Sequence, residues 1–183
     1  AAMQAAYKLN GSTPEKPDDW YDHPIVPLSD YQRVACQMTL DQEGAALFMD
    51  RGTGKTATAI QRICMEAKRK DGMLRAVIVV PNQVRANWEA EIQKFTTLPG
   101  KVTVIRGTQE QRIRSLVQAI TTEPDCEFSA VVVGYDSLSS SIHAFAKPGL
   151  WDLAILDESH FIKSSTTRRW AALRQLRDCA TQR

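Results

Sequence analysis

Ala45-Ala46-Leu47-Phe48-Met49-Asp50-Arg51-Gly52-Thr53-Gly54-Lys55-Thr56 is the stretch from which the fold is read. A short apolar run leads into a Gly-x-Gly-Lys-Thr turn. The turn opens into Ala57-Thr58-Ala59-Ile60-Gln61-Arg62-Ile63-Cys64, a helical pattern. Strand, glycine turn and helix together make a phosphate cradle: backbone N–H groups at the turn and the positive end of the helix dipole meet on an anion. Gly52 and Gly54 let the backbone approach phosphates with no Cβ in the way. Lys55 is the candidate for the β- and γ-phosphates, and the Thr56 hydroxyl for Mg2+. The first glycine of the usual pattern is replaced by Met49. The plain alternative is a tight strand-to-helix turn that binds nothing.

The surrounding composition narrows the class. At 183 residues, 43% apolar and 24% charged, the chain fills one globular domain with a core and leaves little for a second. A net charge of +2 points to neither a nucleic-acid nor a membrane surface. No apolar run approaches the ~20 residues of a membrane span, and no basic-then-apolar leader opens the sequence. The expected location is therefore cytoplasmic, or nuclear in a eukaryote. Cys36, Cys64, Cys126 and Cys179 form no CxxC and read as reduced thiols.

Outward from the turn, strand and helix patterns alternate. Residues 1–27, with Pro14, Pro17, Pro24 and Pro27, read as an irregular leader or linker that Trp20 and Tyr21 pin down. Ser29 and Gln32 form a capping-box pattern. Tyr31, Val34, Ala35 and Met38 then give a helix one buried face. Residues 45–49 are the expected core strand. Helix 57–70 ends on Lys68-Arg69-Lys70 and Gly72. Further strands are expected at 76–80, stopped by Pro81, and at 102–105, 130–133 and 153–156. Helices are expected around Trp88–Phe95, around Ile113–Ile120, and from Thr166 to Cys179 with Ala180 on the same inner side. The alternation predicts an α/β domain with a largely parallel sheet, whose ligands bind at the carboxyl ends of its strands.

A second motif falls at such an end. Leu153-Ala154-Ile155-Leu156 runs into Asp157-Glu158-Ser159-His160. Two carboxylates at the mouth of a buried strand are costly unless they meet a cation or a proton to move. Asp157 is the candidate Mg2+ ligand, directly or through water. Glu158 is the candidate to orient or deprotonate an attacking water, the positioning that phosphoryl transfer needs most. The bland alternative has them capping the next helix.

Asp-Glu-Ser-His resembles the DExH box of superfamily 2 helicases. The following Phe161-Ile162-Lys163, with Arg168 and Arg169, resembles the SWI/SNF-type branch of DNA-dependent ATPases. Leu28-x-x-Tyr31-Gln32 is similar to that branch's adenine-reading motif. Val79-Val80-Pro81-Asn82 with Asn87-Trp88-x-x-Glu91-Ile92-x-Lys94-Phe95 resembles motif Ia and its helix. Val133-Gly134-Tyr135-Asp136-Ser137-Leu138 resembles the motif Ib region. The motifs occur in family order from about 28 to 177. The phosphate loop and Ser159 depart from the branch's usual residues, a pattern that suits a phage or bacterial member.

The resemblance implies a P-loop, RecA-like three-layer domain over 28–183, the N-terminal ATP-binding lobe of an ATP-dependent DNA helicase or double-stranded DNA translocase. It implies ATP and Mg2+ as ligands, and DNA as partner with RNA left open. It also implies a sixth strand beyond Arg183, where this stretch stops short of the domain's last strands, and a second RecA-like domain supplying arginine fingers. The alternative is a nucleotide-dependent binding module without hydrolysis in this stretch. A small-molecule kinase fits poorly, because no lid or substrate pocket suggests itself.

The resemblance assigns Gln32 to the adenine edge, against its plain role in the capping box. Arg51 faces phosphate, nucleic acid or solvent. Pro81, Asn82, Gln83, Tyr135 and Ser137 are nucleic-acid candidates. His160 is implied to couple nucleotide state to the other domain, and Trp88 reads as core rather than a base-stacking platform. Lys163, Arg168, Arg169, Arg174 and Arg177 make a basic C-terminal segment that meets DNA or only solvent.

Overall fold

The computed structural model describes residues 16–17, 20–22, 26–40, 42–50, 52–121, 123–162, 164 and 166–182. Arg51, Lys163 and most of the expected leader lie outside the described residues, as does the side chain of His160.

Leu74–Val80 (β1) ends in a β-branched run at 77–80 and is buried except at the half-buried Arg75. Such a run suits a strand covered on both faces, and β1 lies at the centre of the sheet. It pairs in parallel with Phe128–Gly134 (β3) on one side and Trp151–Leu156 (β4) on the other. Gly100–Val104 (β2) pairs with β3, and Ala180–Gln182 (β5) with β4. The order is β2-β3-β1-β4-β5, all parallel.

Alternate side chains of β1 enter two cores. Ala76, Ile78 and Val80 join Ile60, Ile63, Trp88 and Ile92 beneath Asp30–Leu40 (α1), Lys55–Arg69 (α2) and Arg85–Phe95 (α3). Val77 and Val79 join Leu116, Leu138, Phe145 and Leu176 beneath Gln109–Ile120 (α4), Tyr135–Phe145 (α5) and Arg168–Arg177 (α6). Each fully buried aliphatic contributes roughly 1.5–3 kcal/mol. The result is the expected three-layer α/β arrangement. Trp20 and Tyr21 are buried in the first core; the Tyr21 carbonyl accepts from Gln61, and its hydroxyl accepts from the Thr97 amide.

Three expectations need correction, on residues 45–49, on Tyr31 with Met38 and on Ala180, and two features are new. Residues 45–49 form no strand: they have no ladder partner among the described residues, and Phe48 is 87% exposed. Strand composition lowers free energy only where a ladder partner accepts the backbone groups, and β4 is already flanked by β1 and β5. Tyr31 and Met38 are exposed rather than core; α1 buries Val34, Ala35, Cys36 and Leu40. Val117 of α4 likewise faces out, while Leu116 and Ala119 face in. Ala180 begins β5 rather than closing the last helix. Helix α5 was not expected at all.

The four cysteines are free thiols. Burial pushes those of Cys36 and Cys64 up to about 12. No helix among the described residues is long and apolar enough to cross a membrane.

Candidate nucleotide site

Because every strand is parallel and the registers align Val80 with Gly134 and Val79 with Leu156, the carboxyl ends of β1, β3 and β4 form one edge. Pro81–Gln83, Tyr135–Ser137 and Asp157–Glu158 leave the sheet there. The glycine turn reaches the same edge by another route. Residues 70–73 return the chain from the end of α2 to the start of β1, and the inner face of α2 packs along β1. At ~1.5 Å per residue the 15 residues of α2 run ~22 Å, against ~23 Å for the 7 residues of β1. The N-terminus of α2 therefore lies at the carboxyl edge.

Gly52 and Gly54 have φ of +77° and +83°, the left-handed region that favours glycine. Gly54 is the N-cap of α2. No side chain caps that terminus, and no acidic residue lies in its first turn. The first N–H groups and the dipole are thus left for an anion. The Lys55 ammonium donates to the carbonyls of Met49 and Asp50, 2.9 Å each. It lies on its own loop, and no ion pair joins it to Asp157 among the described residues. The Thr56 hydroxyl is half-buried, at the first turn of α2. This donor set fits a triphosphate: an uncapped helix start, two left-handed glycines and a cation within the turn.

Gln32 serves the turn in both directions. Its Oε1 accepts from the Ser29 amide at 2.9 Å, the capping bond expected from sequence, and its Nε2 donates to the Thr53 carbonyl at 3.0 Å. The Tyr31 hydroxyl donates to the same carbonyl. A Cβ on Gly54 would come within 2.0 Å of Gln32 Nε2. The amide that the resemblance assigns to adenine here braces the phosphate turn.

Asp157 is held from three sides. Its amide donates to the Val79 carbonyl at 2.9 Å, its carbonyl accepts from the Tyr135 hydroxyl at 2.7 Å, and its Oδ2 accepts from the Trp88 indole N–H at 2.8 Å. Burial and the charges of Asp157 and Glu158 push the Tyr135 phenol above its ordinary range, so the hydroxyl stays a donor. Oδ1 has no protein donor among the described residues. Glu158 is exposed, with φ of +52°. No group of three or more metal-binding side chains occurs among the described residues.

The nucleic-acid candidates divide. Asn82 and Gln83 are exposed and Ser137 half-buried. Pro81 and Tyr135 are buried, and the Tyr135 hydroxyl donates to the Asp157 carbonyl. The Asn82 carboxamide lies directly over Gly134, where a Cβ would come within 1.9 Å of its Oδ1. The loops after β1 and β3 therefore touch. Of the basic C-terminal segment, Arg169 forms a two-pronged pair with Asp136 at 2.8 and 3.0 Å, and Arg174 lies over the Trp170 ring. Sequence reasoning gave Trp88 to the core and missed its bond to Asp157. The available signal was chemical: a buried indole N–H needs an acceptor.

Against known proteins, a profile described as the SNF2-related domain matches residues 27–180. The chain belongs to the SNF2-related domain family. Among relatives of this domain, Helicase SWR1 of Saccharomyces cerevisiae is 34% identical over 125 residues, covering 68% of this chain and 8% of that protein. The DNA repair and recombination protein RAD54 of Oryza sativa is 31% identical over 172 residues, covering 85% of this chain and 17% of that protein. This SNF2-related domain thus spans only a small part of those relatives. Its fold is similar to the Sulfolobus solfataricus SWI2/SNF2 ATPase core solved with double-stranded DNA (TM-score 0.66, 20% identity, 88% of this chain and 32% of that one). It is also similar to the Type ISP restriction-modification enzyme LlaGI solved with a DNA substrate mimic (TM-score 0.70, 17% identity, 86% of this chain and 17% of that one).

Proposed function

We propose that this chain is the ATP-binding lobe of an ATP-dependent DNA helicase or double-stranded DNA translocase. The observation that carries the reading is the shared edge: the uncapped start of α2 lies on the side from which the Asp157–Glu158 pair leaves the sheet. The backbone of Gly52–Gly54 and the Lys55 ammonium hold the phosphates, with Lys55 exchanging the Met49 and Asp50 carbonyls for phosphate oxygens. Arg51 lies in the same turn sequence and serves the phosphates or the nucleic acid. Thr56 and Asp157 hold Mg2+, which when bound neutralises charge on the phosphate oxygens. Glu158 orients the attacking water and takes its proton. Gln32 reads the adenine edge by releasing Thr53. Asn82, Gln83 and Ser137 meet the DNA backbone, where amide and hydroxyl groups suit phosphate oxygens. His160 couples this lobe to a second RecA-like domain, which supplies arginine to the γ-phosphate. Family membership and the DNA complexes of the two similar structures support the partner.

Lys55→Ala should abolish Mg-ATP binding, measured by fluorescence of a labelled ATP. Glu158→Gln should keep binding and cut turnover of the full-length protein by at least ~100-fold, the scale of lost general-base catalysis. Unchanged turnover in Glu158→Gln would remove the assigned base.

A further inference from the structure

Asp157 is an acidic residue of the edge whose backbone and side chain are both fixed by other elements. Val79 on β1 takes its N–H, Tyr135 at the start of α5 donates to its carbonyl, and Trp88 on α3 donates to Oδ2. Trp88 and Tyr135 are each 3% exposed, so water does not compete for either donor. We infer that Trp88 and Tyr135 are positioning residues that fix Asp157 with Oδ2 occupied and Oδ1 alone free for the metal. The inference rests on the reading of Asp157 as the Mg2+ ligand given above.

The geometry gives each donor a distinct task. A carboxylate on a strand end rotates about two side-chain torsions and offers either oxygen. The indole N–H engages Oδ2, damps the rotation and leaves Oδ1 as the oxygen without a protein donor among the described residues. The phenol acts one step back: it holds the Asp157 peptide where the chain turns into the left-handed Glu158. Asp157 therefore binds the metal through one oxygen, which suits a small cation that keeps most of its water and demands near-octahedral order. Outer partners of this kind set the orientation and basicity of a metal ligand. Trp88 belongs to the first core with Ile92 and Val80, and phenylalanine in its place keeps an apolar ring there while removing the N–H.

The test separates ring from donor. A fluorescent ATP analogue is titrated with Mg2+ and with EDTA, so that the ratio of the two affinities isolates the metal's share. Trp88→Phe and Tyr135→Phe should each lower that ratio roughly 10-fold and leave the affinity in EDTA within about 2-fold, the change expected when phosphate contacts are untouched. In the unsubstituted protein the indole 1H–15N cross-peak that Trp88→Phe removes should lie downfield, as for a donor to a carboxylate. It should move upfield in Asp157→Ala. If Trp88→Phe does not fold, Tyr135→Phe, which removes a single oxygen, still decides. Full Mg2+ response in both phenylalanine variants, or a cross-peak indifferent to Asp157→Ala, overturns the inference alone. Full Mg2+ response in Asp157→Asn removes the metal-ligand reading and this inference with it, and is visible before either phenylalanine variant is made.

Discussion

Glu158 turns left-handed, with φ of +52°, directly after an aspartate pinned by three hydrogen bonds. For an L residue that conformation costs roughly 1–2 kcal/mol, and it persists only where the surroundings impose it. Here the surroundings are identifiable: β4 fixes the chain up to Leu156, and Val79, Tyr135 and Trp88 fix Asp157. The backbone must turn within one residue to leave the sheet, and it does so at Glu158. Glycine there would shed the steric cost but lose more chain entropy, about 0.5–1 kcal/mol. Glu158→Gly should therefore stabilise the protein by about 0.5–1 kcal/mol while abolishing turnover. Glu158→Gln, which keeps the same backbone, should leave stability within about 0.5 kcal/mol of the parent. Urea unfolding midpoints of the two variants check this; a destabilised Glu158→Gly would mean that the turn is not strained.

Single elements show what was legible in the sequence and why the rest was not. The continuous runs in β1 and β3 mark strands covered on both faces, and the structure buries them so, while β4 buries Trp151, Leu153 and Ala154 and opens at the edge, where Leu156 is exposed. The glycine turn and the acidic pair were readable because their chemistry needs particular residues at fixed offsets. Helix α5, Tyr135-Asp136-Ser137-Leu138-Ser139-Ser140-Ser141-Ile142-His143-Ala144-Phe145, hid behind serines, which favour caps and turns. Its apolar positions Tyr135, Leu138, Ile142 and Phe145 do carry the helical period. The serines find partners within and beside the helix: Ser139 donates to the Tyr135 carbonyl, and Ser140 and Ser141 accept from Arg112 of α4. Residues 45–49 failed in the opposite direction. Their composition predicts a strand, but a strand is a property of a pair, and this run has no partner among the described residues. Phe48 tests this at the scale of the element. With its side chain 87% exposed, Phe48→Ser should change the unfolding free energy of this chain by no more than about 0.5 kcal/mol. It should also raise solubility, read as the concentration at which light scattering appears, by removing an exposed apolar segment. A loss of 2 kcal/mol or more would show that Phe48 is packed.

For the molecule as a whole, the parallel sheet brings the loops between elements to one edge, and side chains tie those loops together. Asn82 covers Gly134, Tyr135 and Trp88 hold Asp157, and Arg169 ties α6 to Asp136 of α5. The turn after β1 leads into α3, which carries Trp88, and the start of α5 carries Tyr135, so the elements proposed to meet DNA adjoin the two donors to Asp157. Binding on that edge can bias the metal acid through them, and the contact between Asn82 and Gly134 is where the two loops meet. Gly134 has an ordinary backbone conformation with φ of −77°, so alanine costs little strain. Its Cβ would displace the Asn82 carboxamide, an exposed group free to move. Gly134→Ala and Asn82→Ala should each reduce the stimulation of turnover by DNA several-fold, about 1 kcal/mol of coupling, with Mg-ATP affinity in the absence of DNA unchanged. Because both act on one contact, the double variant should show little further loss than either alone. Additive losses in that cycle, measured on the full-length protein with duplex DNA, would mean that the two loops reach the site separately.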